Sequence, residues 1–236
     1  SGGAMILKRK IYKKLLEWKK ECQGKKALLI EGARRIGKST ICEEFGKNEY
    51  KSFLLIDFAK KDKEVEGYFE KYLNDLDTFF MLLQTHFGTK LTERNSLIIF
   101  DEVQMFPQAR AAIKYLVADG RYDYIETGSL ISIRENVKNI VIPSEERHIN
   151  MYPLDFEEFA IALEEDLLVE YIKKCFEKRE PLERSMHNQA MLLFHQYMLV
   201  GGMPMPVVTF IESKKDFTEA DREKRDILKL YREDIM

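Results

Sequence analysis

The sequence predicts an α/β protein: a three-layer core around a mainly parallel five-stranded sheet, followed by a helical lid. Three observations predict it. A glycine-containing loop at residues 32–40 stands between a short apolar run and a helix-like pattern. Further apolar runs end in acidic or hydroxyl residues, as buried parallel strands do when they deliver side chains at their C-terminal edge. After residue 154 the strand-like runs stop and helical periodicity takes over.

The loop reads GARRIGKST and fits G-x-x-x-x-G-K-[ST], a phosphate-binding pattern. Residues 27–30 form the apolar strand before it, and residues 39–45 continue as a helix. Glycine lets the backbone approach phosphate oxygens and turn its N–H groups inward. The backbone of Gly32, Ala33, Arg34, Arg35, Ile36 and Gly37 is therefore expected to cradle the phosphates, aided by the positive end of the helix that follows. Lys38 is expected to reach the β- and γ-phosphates and Ser39 to ligate Mg²⁺. Thr40, one residue into the helix, is placed to donate to the α-phosphate.

Composition narrows the class. The chain has 236 residues, 45% hydrophobic and 33% charged, enough for a sizeable core in one large domain or a domain with a smaller companion. A net charge of −2 provides no global basic field for nucleic acid. Cys22, Cys42 and Cys175 are odd in number and far apart, with no C-x-x-C, so a reducing, cytoplasmic setting is expected. His86, His148, His187 and His195 lack metal-ligand spacing with any cysteine. No apolar run reaches the length of a membrane span. Residues 1–4 read as a tag remnant, with Met5 as the native start.

Along the chain, residues 8–20 (KRKIYKKLLEWKK) predict a basic amphipathic helix with a solvated lysine face. Residues 52–57 read as a second strand, and residues 64–73 and 76–87 as helices. Tyr68, Phe69, Tyr72, Phe79 and Phe80 recur at helical spacing without interleaved basic residues, which points to core rather than to a base-stacking platform. Residues 97–100 (LIIF) are a buried strand that ends in Asp101 and Glu102. An acid at that edge, beside a phosphate loop, suits the Mg²⁺ shell, and a second acid can take a proton from attacking water. That pair favours hydrolysis over small-molecule phosphorylation. Gln104 follows closely enough to orient the same water.

Residues 107–117 predict a helix with proline at its start, and residues 122–125 a fourth strand. Thr127 is the first candidate for a side chain that senses the γ-phosphate, and Ser129 the second. Residues 147–151 alternate as a fifth strand, and Asp155 with Glu158 forms a capping-box pattern. Residues 156–179, 185–200 and 218–235 read as helices, interrupted at Gly201-Gly202-Met203-Pro204. The core is thus expected over residues 5–154 and the lid over 155–236.

The order GARRIGKST, LIIFDEVQ, IETGSL, RHINMYPLDFEEF, VGGMP and YREDI resembles the prokaryotic AAA-like P-loop ATPases that carry an uncharacterised C-terminal domain, relatives of archaeal and STAND-type ATPases. The resemblance implies a P-loop NTPase core in which the Thr127 strand lies between the phosphate-loop strand and the Asp101 strand. It implies ATP or ADP with Mg²⁺ as ligands, Lys38 and Ser39 on phosphate and metal, Asp101 as the metal-side acid, Glu102 as catalytic base and Thr127 as sensor. It would put Pro204 against the adenine. Arg147 falls where the family has an arginine opening the fifth strand, read as a charge-stabilising finger or a structural ion pair; Glu146 stands before it where the family usually has glycine. The family continues past YREDI into a further domain, so the chain is expected to be truncated, with a DNA or protein partner acting through the missing part; self-association, which could bring an arginine from a neighbouring subunit, is a separate expectation.

Two functions follow as expectations. One is a Mg²⁺-dependent ATPase whose turnover moves lid against core. The alternative is a nucleotide-loaded switch with little turnover, distinguished by co-purifying ADP. A nucleic-acid motor rests only on the basic residues 8–20. No N-K-x-D guanine signature is present, and a membrane partner is not expected.

Overall fold

The computed structural model describes residues 5–129 and 144–235; the tag remnant expected at residues 1–4, Leu130 of the IETGSL segment and Met236 lie outside the described residues. Among the described residues, those from 11 to 151 form one compact unit, and those up to 10 together with those from 152 onward form another.

The first unit is built on β1 (Ala27–Glu31), β2 (Ser52–Asp57), β3 (Ser96–Asp101), β4 (Asp123–Gly128) and β5 (Glu146–Asn150). They pair in the order β2-β3-β4-β1-β5, every pair parallel. The Thr127 strand β4 therefore separates β1 from β3, as the resemblance implied. Strand alternation sends Ala27, Leu29, Ile98, Phe100 and Tyr124 to one face. There they meet Phe69, Phe79, Phe80, Ile113 and Leu116 from α3 (Lys63–Lys71), α4 (Leu76–Phe87) and α5 (Pro107–Asp119). Of the aromatics expected in the core, Phe69, Phe79 and Phe80 are buried, while Tyr68 and Tyr72 are partly buried against them; Phe69 and Phe79 meet edge-on with ring centroids 5.0 Å apart, a geometry that adds ~0.5–1.5 kcal/mol beyond area burial. α1 (Ile11–Cys22) and α2 (Lys38–Glu49) supply the third layer, burying Leu15, Trp18, Cys42 and Phe45. This is the three-layer α/β fold of P-loop NTPases.

The second unit packs α6 (Phe156–Ala162), α7 (Asp166–Lys178), α8 (Arg184–Val200), α9 (Pro204–Glu212) and α10 (Phe217–Ile235) around Leu154, Phe159, Leu193, Val207 and Phe210. The capping box is formed: Glu158 N donates to Asp155 Oδ1 at 2.8 Å, and Asp155 N donates to Glu158 Oε1 at 3.1 Å. Gly202 has a structural reason: a Cβ there would lie 2.2 Å from Leu154 O.

β4 runs on to Gly128 rather than ending at 125, β5 covers Glu146–Asn150 rather than 147–151, and three further boundaries differ from expectation for a physical reason. The basic helix begins at Ile11, not at residue 8, because Arg9 and Lys10 are engaged elsewhere. Arg9 Nε donates to Glu158 Oε2 at 3.0 Å in a buried ion pair, and Lys10 bridges Asp155 and Glu157. The single helix expected over 156–179 breaks at residues 163–165, where Glu164 takes a left-handed backbone. The interruption expected at Gly201-Gly202-Met203-Pro204 ends one residue sooner, because Pro204 starts α9, as suits a proline in a first helical turn.

Candidate nucleotide site

β1 ends at Glu31 and the chain turns at once into Gly32. A Cβ at position 32 would lie 2.5 Å from Met151 O and 2.6 Å from Ile36 Cδ1, so glycine is needed for the loop to close against β5's end. Gly37, at φ 95°, then turns the chain into α2, which begins at Lys38. Ile36 is fully buried and anchors the loop, while Ala33, Arg34 and Arg35 are exposed; Arg35 sits at φ 66°. Thr40 is exposed on the first turn of α2.

Lys38 is buried. Its Nζ donates to Gly32 O at 2.9 Å and Ala33 O at 2.6 Å. Burial lowers its pKa, although the nearby carboxylates of Glu102 and Asp101 pull the other way.

The acids gather beside the loop. Ser39 Oγ lies 2.7 and 2.8 Å from the two Asp101 carboxylate oxygens. Thr127 Oγ1, fully buried, donates to Asp101 Oδ1 at 2.5 Å and accepts from Glu102 N at 3.1 Å. Glu102 has a left-handed backbone, φ 54° and ψ 48°, which costs a residue with a side chain ~1–3 kcal/mol. Gln104 Nε2 donates to Glu102 Oε2. The structure thus brings Lys38, Ser39, Asp101, Glu102, Gln104 and Thr127 together. Arg147 stands apart from them in an exposed ion pair with Glu21, 2.7 Å. Pro204 lies in the helical unit.

The donor set suits Mg²⁺. A hydroxyl and a carboxylate are hard oxygen ligands, and Mg²⁺ takes one or two such protein groups with substrate phosphates and water. Among the described residues, no cluster of three or more His, Cys, Asp or Glu side chains offers a cage to a metal by itself.

A second group of charges escaped sequence reasoning. Arg110 on α5 forks onto Glu146 of β5, Nε to Oε1 at 3.1 Å and Nη2 to Oε2 at 2.9 Å, in a buried pair. His148 Nε2 lies 3.0 Å from the same carboxylate. Glu126 of β4 is fully buried and receives no donor on either carboxyl oxygen. Burial, then the charge of Glu146, push its pKa well above the ordinary carboxylate value. Glu126 therefore holds its proton to higher pH than an ordinary carboxylic acid does. Burial alone would raise Glu146 too, but the hydrogen bonds from Arg110 and Glu126 outweigh it and its pKa lies below the ordinary value.

A parallel sheet of this order with a glycine-closed phosphate loop defines an AAA-like P-loop ATPase domain. Residues 24–160, more than half the chain, match the AAA domain family, and the chain belongs to that family. No curated protein matches it. Among solved structures, the ORC1 protein of Aeropyrum pernix, in complex with DNA, is similar at 9% identity and a TM-score of 0.40, covering 84% of this chain and 68% of that one. PCH-2 of C. elegans is similar at 12% identity and a TM-score of 0.44, covering 92% of this chain and 65% of that one. Against PCH-2 the chain spans less than two thirds of the length, and at these scores neither likeness bears on function. No described helix is long and apolar enough to cross a membrane.

Proposed function

We propose that this domain binds ATP with Mg²⁺ and hydrolyses it. One observation carries the reading: the hydrogen-bonded chain Ser39–Asp101–Thr127–Glu102 beside the phosphate loop. It sets a hydroxyl and a carboxylate, both suited to a hard cation, next to a second carboxylate suited to act as a base. Mg²⁺, when bound, offsets charge on the phosphate oxygens. Ser39 and Asp101 would hold it. Lys38 exchanges its loop carbonyls for phosphate oxygens, and the loop amides with the N-terminus of α2 add donors. Glu102 accepts the proton of the attacking water, with Gln104 holding its carboxylate. In the same reading Arg34 and Arg35 flank the phosphate path and Thr40 serves the α-phosphate. A cytoplasmic setting fits three buried, free thiols.

The test is Lys38→Ala, titrated with ATP and with ADP. Loss of charge-assisted hydrogen bonds worth ~1.5–3 kcal/mol predicts a drop in affinity of about 10-fold or more. Unchanged titrations remove the loop from nucleotide binding.

The switch reading is favoured by the same Gln104–Glu102 bond, which engages the base. It predicts ADP carried through purification and near-zero turnover. Prompt release of ADP with steady turnover sinks it.

A further inference from the structure

We propose that Thr127 is a positioning residue that locks Asp101 and Glu102 onto one side of the sheet edge, rather than a group that reports the γ-phosphate. The proposal rests on the ATPase reading above and deepens it.

The geometric problem is set by the sequence. Adjacent residues of a strand face opposite sides of the sheet. Asp101 ends β3, so a continued strand would send Glu102 away from the ligand that Asp101 serves. The chain avoids this by giving Glu102 a left-handed backbone immediately after β3. Such a conformation in a residue that is not glycine persists only where the surroundings over-determine it.

Thr127 supplies the constraint. Its Oγ1 accepts from the Glu102 N–H at 3.1 Å, which fixes the turned backbone. The same oxygen donates to Asp101 Oδ1 at 2.5 Å, which fixes the carboxylate one residue earlier. One hydroxyl therefore ties both acids. It is held well for this: the residue is fully buried on β4, and branching at Cβ restricts its rotamers. β4 is hydrogen-bonded between β3 and β1, so the lock is carried by the strand that neighbours both motif-bearing strands. Asp101 passes the constraint on to Ser39.

The hydroxyl also has a limit. A threonine has a single hydrogen to donate. Here that hydrogen goes to Asp101, which leaves none for a phosphate oxygen. A sensor of the γ-phosphate and a lock on the acids are thus different roles for the same atom, and they predict different behaviour toward ADP, which has no γ-phosphate.

The experiment compares the parent protein with Thr127→Val, which keeps the volume and loses the hydroxyl, and Thr127→Ser, which keeps the hydroxyl. Binding of ADP is measured by calorimetry with and without Mg²⁺, alongside ATP turnover. The lock predicts that valine removes most of the Mg²⁺-dependent gain in ADP affinity, at least about fivefold, and lowers turnover, whereas serine behaves as the parent in both. A valine variant that loses turnover while keeping the full Mg²⁺ gain on ADP overturns the lock in favour of a phosphate sensor. A serine variant that fails as valine does overturns it in favour of packing. If valine does not fold, Thr127→Ala takes its place with the same expectations. A parent that binds ADP with no Mg²⁺ gain, or binds no nucleotide, overturns the ATPase reading itself and the lock with it; the parent's titrations separate that outcome from failure of the lock alone.

Discussion

Replacing Glu102 with Gln is expected to lower ATP turnover by about 10²–10⁴-fold, the usual contribution of a positioned general base, while ATP and ADP titrate as in the parent. The amide keeps the size and shape of the side chain but cannot accept the water's proton at neutral pH. The groups proposed to bind phosphate and metal are Lys38, Ser39, Thr40, Asp101 and the loop amides, and the substitution removes none of them. The left-handed backbone is no worse for glutamine than for glutamate, so the fold should be unaffected. Turnover should be measured against protein concentration for both proteins. A rate per molecule that rises with concentration in the parent indicates that a second copy completes the site, as an arginine supplied in trans would do. A Gln variant that hydrolyses ATP as fast as the parent would remove Glu102 from the chemistry and leave the Asp-Glu pair without its proposed division of labour.

The second large effect is expected at the buried Arg110–Glu146–Glu126 group. Arg110→Ala should lower the unfolding free energy by about 3–5 kcal/mol, read from urea unfolding at neutral pH, because it leaves a buried carboxylate without its guanidinium. The companion measurement is the pH dependence of stability. In the unfolded chain Glu126 ionises near its ordinary value, about 4.3. In the folded chain it holds its proton to higher pH, pushed up by burial and then by Glu146. Above the unfolded pKa the folded state therefore binds one more proton than the unfolded state. Stability from this group falls as pH rises, by up to about 1.4 kcal/mol per pH unit, until the folded pKa is passed. Glu146 runs the other way: its lowered pKa gives stability that is present above its unfolded value and is lost on acidification. Glu126→Gln should flatten the decline that sets in above the unfolded pKa, since an amide has no proton to lose. An unfolding midpoint that falls as steeply in Glu126→Gln as in the parent would show that Glu126 is not the group that titrates.

The contrast between these two sites explains what the sequence reveals. The phosphate loop is local: nine consecutive residues carry the glycines, the lysine and the hydroxyl, and the apolar strand before them and the helix after them are contiguous with it. The Asp-Glu pair is legible because a buried strand is an unbroken apolar run and its end is where the polarity changes. The capping box at Asp155 and Glu158 is likewise contained within four residues. The Arg110–Glu146–Glu126 group has no such signature. Its members sit 16 and 20 positions apart, on a helix and two strands, and each reads alone as an ordinary surface charge. Only the pairing of β4 and β5 to either side of β1, with α5 across the face, brings them together. The turned backbone at Glu102 is hidden for another reason. Glutamate is not a residue that signals a left-handed conformation, and the hydroxyl that bonds it lies 25 positions later. The helix that starts at Pro204 is hidden because Gly-Gly-Met-Pro looks like an end, although a proline at a first turn is equally a beginning.

The ammonium of Lys38 already donates to two carbonyls of its own loop, Gly32 O and Ala33 O. In the proposed reading an incoming phosphate would not meet a waiting cation; it would take the lysine from these oxygens. Capture becomes a two-stage event, a collision followed by an exchange of partners. In a rapid-mixing experiment the observed association rate should climb with nucleotide concentration and then level off. The height of that plateau is a clock for how often the lysine releases its own backbone.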